Sequence, residues 1–234
     1  MNERSRISEN LAQIRGRIAD AARRSGRAAG EVKLVAVTKY VDADVARQLV
    51  DAGCHDLGEA RPQELWRKAE ALSGQTIEWH LIGHLQRNKI ARTLPLVRLL
   101  HSGDSLRLIE AIDAEAARAG LPPVPLLLEV NVSGDATKHG FKPDELPPLG
   151  GPLAAMRSIK ICGLMCMAGR EGSLDDARRD FERLRLLRDQ LRSTWPDRLV
   201  LDELSMGMSG DFEAAIEEGA TLVRVGSLLF EGIA

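Results

Sequence analysis

The chain is poor in tyrosine and cysteine, with one Tyr and three Cys in 234 residues. Three cysteines are an odd number and form none of the paired spacings that hold zinc, which argues against a disulfide framework or a zinc module. Cys162 and Cys166 share one apolar run and read as buried, reduced thiols. Excess charge of either sign is missing too. With 32 Lys and Arg against 34 Asp and Glu, the formal net charge is -2, which gives no electrostatic reason to bind nucleic acid or an acidic membrane surface. No long apolar run opens the chain. The stretch "MNERSRISENLAQIRGRIADAARRSGR" is charged throughout, which excludes a secretory signal or membrane span there and makes the cytoplasm the expected location. A linker, a low-complexity run and an internal repeat are likewise absent.

What is present is a rhythm. Hydrophobic residues make up 44% of the chain, enough for a sizeable core. Apolar strand candidates alternate with helical patterns. "KLVAVT" is followed by "DADVARQLVDAG", "CHDLGEA" by "RPQELWRKAEAL", "EWHLIGH" by "LQRNKIARTL", and "VRLLHSGD" by "SLRLIEAIDAEAARAG". Then come "PLLLEVNVSGD", "IKICGLMCMA" with the long "LDDARRDFERLRLLRDQLRSTW", "LVLDELSMGMSGD" with "FEAAIEEGA", and "TLVRVGSLLFEG". That makes eight strand candidates, each but the fifth followed by a clear helical pattern. Such alternation demands a parallel sheet, and eight units close into a (β/α)8 barrel, expected as one domain over residues 1–234 with an extra leading helix. A doubly wound open sheet is the alternative. A single barrel is expected to be a monomer.

In such a barrel, active sites lie at the C-terminal ends of the strands, and phosphate sites favour the loops after the seventh and eighth. Lys39 ends the first strand candidate. Alternation puts Val35, Val37 and Lys39 on one face and Thr38 and Tyr40 on the other. If that face lines the barrel, partial desolvation favours a neutral amine, nucleophilic toward aldehydes. The bland alternative is a lysine snorkelling to water. After the seventh strand, Ser209, Gly210 and Asp211 stand where a helix N-cap belongs, presenting N–H groups to an anion. After the eighth, Gly226 allows close backbone approach and Ser227 offers a hydroxyl. Arg224 lies between two valines in the eighth strand, beside the first strand in a closed barrel; an ion pair with Glu129 is its structural alternative. A lysine, a phosphate cradle and a cation between them describe a place for pyridoxal 5'-phosphate, with Lys39 as Schiff base and Arg224 facing the pyridine nitrogen. A Schiff-base aldolase acting on a sugar phosphate fits the lysine and cradle as well, although it lacks an evident proton-relay partner.

Other constellations carry less. His80 and His84 are four apart, but strand context and Gly83 spoil a helical metal site, and no third ligand follows nearby. "RRDFERLRLLRDQLR" reads as a solvated helix with internal ion pairs. Lys138 and His139 lie on the loop after the fifth strand, at the site end of the barrel, where Lys138 is a candidate second amine for accepting the cofactor by exchange.

The stretches "LVAVTK", "GE" at 58–59, "WHLIGHLQRNK", "VNVSGDATKHGF", "GLMCMA" and "LSMGMSGDFEAAIEEGATLVRVGSLLF" together resemble the pyridoxal-phosphate homeostasis proteins, relatives of the N-terminal barrel domain of alanine racemases. The likeness runs end to end, and "SMGMS" followed at this spacing by "RVGS" is its most specific part. It implies a (β/α)8 fold, a Schiff base on Lys39, phosphate held by Ser209, Gly226 and Ser227, and Arg224 at the ring nitrogen. It further implies a role in vitamin B6 homeostasis, storing the cofactor or delivering it to apo PLP-dependent enzymes, without catalytic turnover. A slow racemase or decarboxylase is the alternative, but the sole tyrosine, Tyr40, is expected to face away from Lys39, which leaves a two-base racemase without its second base. The sequence departs from the family pattern at Ala60, where an asparagine is usual, at "FEG", which moves a glycine to Gly232, and at the "YVD" that follows Lys39.

Overall fold

The structure, a computed structural model, describes residues 3–135, 137–169 and 172–233; Ala136, inside one of the stretches quoted above, lies outside them. Eight strands, β1 (Lys33–Val37), β2 (Asp56–Glu59), β3 (Glu78–Leu81), β4 (Val97–Gly103), β5 (Val124–Glu129), β6 (Ile159–Met165), β7 (Glu203–Ser205) and β8 (Leu222–Val225), pair in parallel and in sequence order. β8 returns to β1 with Val35 opposite Arg224, which closes the (β/α)8 barrel. An open, doubly wound sheet is thereby excluded.

The helices start where local chemistry allows. Asp42 accepts the Val45 N–H to open α2 (Ala43–Asp51), Pro62 stands in the first turn of α3 (Pro62–Ala71), and Ser105 accepts the Leu108 N–H ahead of α5 (Leu106–Arg118). Ser173 and Asp176 form a reciprocal capping box on α7 (Leu174–Thr194). The leading helix, α1 (Glu3–Arg24), buries Ile7, Leu11, Ile14 and Ile18, a stripe at helical spacing. It packs on α8 (Phe212–Glu217), with Arg17 bonded to Glu213 at 2.9 Å and Arg24 to Glu217 at 2.8 Å. The charged α7 pairs partly within itself and partly across to α8, where Arg178 meets Glu217 at 2.6 Å.

As the sequence indicates for the fifth unit, the chain between β5 and β6 makes a bridge, Val130 to Phe141, then short 3-10 turns and α6 (Gly150–Ala155). Strand β7 is only three residues long because the chain turns at Gly207, whose φ of +91° only glycine adopts freely. α4 (Ile90–Thr93) is a single turn.

The core has two layers. Outside the strands, the helices bury the larger apolar cluster; inside, Val35, Leu99, Leu127, Met165 and Leu222 fill the barrel. Among these inner side chains the barrel also buries His80, His101, Ser205, Glu129 and Arg224. Burying so many polar groups is costly unless each is bonded, and that requirement organises the site.

Candidate functional site

Lys39 lies just past the end of β1, as expected, but not as a continuation of it. β1 stops at Val37; Thr38 N–H still bonds to Gly58 O, and then Val41 N–H turns back to Thr38 O. Beyond the last paired residue, strand alternation no longer sets direction. Lys39 is therefore exposed and not desolvated at the mouth. Its Nζ sits 4.9 Å over the Tyr40 ring, so Tyr40 does not face away from it. What fixes the backbone here lies on the outer side. Thr38 donates its hydroxyl to Glu59 Oε1 at 2.6 Å, and Lys68 of α3 donates to Thr38 O at 2.6 Å and to the same Glu59 oxygen. Glu59 and Lys68 are fully buried, and Glu59 Oε2 has no hydrogen-bond partner among the described residues.

The loops after β7 and β8 meet as the sequence indicates. Gly226 N–H donates to Ser209 Oγ at 3.2 Å, joining the two loops beside β1. A Cβ on Gly226 would come within 3.1 Å of Val37 O, so a side chain there would push against the strand that leads to Lys39. Ser227 opens a 3-10 turn, Ser227–Phe230. Asp211 precedes α8, but its carboxylate accepts Met208 N–H instead of capping the helix. Burial holds that carboxyl above its ordinary range despite the Met208 N–H and the nearby Arg224.

Arg224 is held by oxygens and not by an ion pair with Glu129. Its Nη1 donates to Ser205 O at 2.7 Å and to Ser205 Oγ, and its Nη2 to Cys166 O at 2.8 Å. From Ser205 a chain of bonds descends through the barrel: His101 Nδ1 at 2.8 Å, then His101 Nε2 to His80 Nδ1 at 2.9 Å, then His80 Nε2 to Asp56 Oδ1 at 3.0 Å. Its polarity follows from the ends. Arginine can only donate, so Ser205 Oγ accepts from it and gives its own hydrogen to His101. His101 is then neutral and protonated on Nε2, which faces His80 Nδ1, and His80 Nε2 bonds to Asp56. Burial, with His80 and Arg224 beside it, holds His101 well below the usual imidazole range. Burial raises Asp56, but the bond and charge of His80, together with Lys33, outweigh it and leave the carboxyl below its ordinary value. Sequence reasoning missed this chain, because no local spacing joins His101 to Ser205, 104 residues away.

Glu129 ends β5, almost fully buried. Burial and the neighbouring Asp104 push its carboxyl up to about 7, against the pull of Arg224 and His84. Lys138, read above as a second amine, has all three ammonium hydrogens engaged: Nζ donates to Ser133 Oγ at 3.1 Å, Met167 O at 2.9 Å and Ala168 O at 2.7 Å. It ties the β5 loop to the β6 loop. His80 faces inward, away from His84, and so the pair makes no metal site. Cys166 is buried, its thiol pushed up to about 12 by burial, an inert core residue as expected, whereas Cys162 is only half-buried.

The family model for the alanine racemase N-terminal domain matches residues 8–233. A pyridoxal phosphate homeostasis protein of Aquifex aeolicus is 40% identical over 222 residues, covering 95% of this chain and 96% of its own. That of Deinococcus radiodurans is 44% identical over 214 residues, covering 91% and 95%. Among solved structures, PipY of Synechococcus elongatus with PLP bound matches at a TM-score of 0.85 and 32% identity, over 96% of this chain and 99% of its own. Alanine racemase of Clostridium difficile, 17% identical with a TM-score of 0.74, shares the fold, and this chain covers 56% of its length. Lys39 at the end of β1 and the joined loops beyond β7 and β8 thus lie within a match that spans nearly the whole sequence, and the chain belongs to the pyridoxal phosphate homeostasis protein family.

Proposed function

We propose that this protein binds pyridoxal 5'-phosphate and stores or delivers it without turning a substrate over. The observation that carries the reading is the convergence on three adjacent strands of an amine (Lys39, after β1), a joined pair of polar loops (Ser209 and Gly226, after β7 and β8) and a buried guanidinium (Arg224, in β8). The donor set fits the cofactor. Lys39 supplies the amine for its aldehyde, and Ser209, Gly226 and Ser227 supply hydroxyl and N–H donors for its phosphate. Arg224 keeps an Nε–H that no group among the described residues accepts, a donor for the ring nitrogen. The names of the relatives, and PLP bound in PipY, support the same assignment.

When bound, the cofactor supplies an electrophilic carbon and an electron sink. The chain's own residues limit that sink. A guanidinium facing the ring nitrogen keeps it an acceptor, which weakens its hold on a carbanion. A proton-shuttling tyrosine opposite the lysine is also missing, since the one tyrosine lies next to Lys39. These features favour a carrier over a racemase or decarboxylase. Apo PLP-dependent enzymes are the proposed recipients. No helix among the described residues is long and apolar enough to cross a membrane, in keeping with a partner that diffuses.

The test is spectroscopic. The purified protein should be yellow, and borohydride should bleach the band and leave an adduct that peptide mapping places on Lys39. Lys39→Ala should lose the covalent link while keeping its circular dichroism, because the side chain packs into no core layer. A colourless protein, or an adduct mainly on another lysine, would overturn the assignment.

A further inference from the structure

The loops after β3, β4 and β5 bring together three residues that the sequence scatters: His84, Asp104 and His139. Each offers a metal-ligating atom, and these atoms lie within 4.8 Å of one another. His84 Nδ1 is 2.6 Å from Asp104 Oδ2, and the imidazoles of His84 and His139 stack with centroids 4.9 Å apart. We propose that His84, Asp104 and His139 bind one divalent first-row transition ion of the zinc class at the barrel mouth, across from Lys39 and the phosphate loops.

The donor chemistry sets the class. Two imidazoles and a carboxylate suit zinc and its neighbours, whereas calcium and magnesium require oxygen ligands throughout. Around a tetrahedral ion with ligands at about 2.0–2.1 Å, donor atoms stand about 3.3 Å apart. Reaching that spacing requires the 2.6 Å contact between His84 and Asp104 to open, and His84 and His139 are both exposed side chains on their loops. Asp104 is the fixed member. Its side chain is 6% exposed, and its other oxygen accepts the hydroxyl of Ser105, the residue that caps α5.

On the outer side, Arg87 and Arg107 line a cavity of about 260 Å³ together with His84 and Asp104. They oppose a bare cation there and favour an anionic group on the coordination position that three protein ligands leave open. Water, a carboxylate or a phosphate oxygen meets that description. The pattern has no sequence signature, since the three ligands sit far apart on separate loops and His80, the near neighbour of His84, turns into the barrel instead.

Chelator-stripped protein titrated with Zn²⁺ by calorimetry, and with Co²⁺ by visible absorption, tests the site. One equivalent should bind with micromolar or tighter affinity, and Co²⁺ should show the intense d–d bands of a low-coordinate site. His84→Ala, Asp104→Asn and His139→Ala should each weaken binding at least tenfold. His139→Ala is the decisive variant, because an exposed loop residue can be removed without unfolding the barrel. The titration is run in parallel on Lys39→Ala protein, so that a failure of the cofactor assignment leaves the metal result legible. No binding up to millimolar metal, or unchanged binding by His139→Ala, would overturn the proposal and leave His84 and Asp104 as a simple ion pair.

Discussion

At the scale of single residues, the site depends on which partner accepts and which donates. Ser209 is an acceptor for Gly226 N–H in this structure, so Ser209→Ala removes both the proposed phosphate donor and the bond that joins the two loops. Ser227→Ala removes only a hydroxyl. Each should weaken retention of the cofactor by roughly 1–2 kcal/mol, the range for a hydrogen bond to a charged group, with Ser209→Ala the larger. Fluorescence titration would measure both, and equal binding of unphosphorylated pyridoxal would show that the loops hold no phosphate. The buried titratable groups give a second residue-level prediction. His101 stays neutral when folded, while the unfolded chain takes up its proton near pH 6.5. Its contribution to stability is thus complete above that value and lost as pH falls. Glu129 does the opposite. Folded, it holds its proton up to about pH 7, whereas unfolded it releases it near 4.5, so stability falls as pH rises between those values. The two slopes oppose each other between pH 4.5 and 6.5, and only that of Glu129 continues above. Glu129→Gln should therefore stabilise the protein at pH 8, by up to roughly 3 kcal/mol, and leave it nearly unchanged at pH 4.5. Urea unfolding at both values checks this, and a gain at the acidic end alone would contradict the assigned direction.

At the scale of elements, the end of β1 is secured from behind. Lys68 on α3 and Glu59 at the end of β2 form a buried ion pair that also grips the hydroxyl and carbonyl of Thr38, the residue before Lys39. Breaking such a pair leaves an uncompensated buried charge, whereas replacing both partners removes the need for one. Lys68→Met alone should cost about 3–5 kcal/mol in urea unfolding, and adding Glu59→Leu should recover most of it. Without the clamp, however, the double variant should hold the cofactor less well than its stability implies. Full recovery of both properties would show that the pair does nothing for Lys39. This clamp also marks the limit of what the sequence discloses. The eight apolar runs, the Asp42 and Ser173 caps and Pro62 are local signals, and each produced the element it indicates. Ser209 and Gly226 were legible because barrel topology brings the last two loops together. Lys68 looks like any helical lysine, and His101 and Ser205 like strand residues, because their partners are supplied by closure of the barrel and not by neighbours in the chain. The direction of Tyr40 differs from expectation for a related reason: it lies three residues past the last strand pair, in a turn that obeys no alternation.

At the scale of the whole molecule, the mouth is divided. Lys39 and the loops proposed to hold phosphate occupy the β7–β8–β1 side, while Lys138 binds three oxygens on the β5–β6 side and knits those loops into one rim. A lysine so engaged is an ammonium clamp, not a free nucleophile, and its release would have to precede any attack on the cofactor. Lys39, by contrast, is exposed on a turn and open to an incoming amine. Handing the cofactor on by exchange between amines is therefore best served by an amine from the recipient, with Lys39 as the leaving group, so that no free aldehyde is shed to water. On this view Lys138→Ala should loosen the rim, seen as faster hydrogen exchange in residues 133–135, 137–139 and 166–169, and should alter retention more than the chemistry of transfer. Transfer itself is measured by reactivation of an apo PLP-dependent enzyme in the presence of a phosphatase that destroys free cofactor. Direct donation predicts that reactivation persists, with a rate that rises with the concentration of the recipient. If the phosphatase abolishes it, the protein is a reservoir that releases to solution, and the exposure of Lys39 serves loading alone.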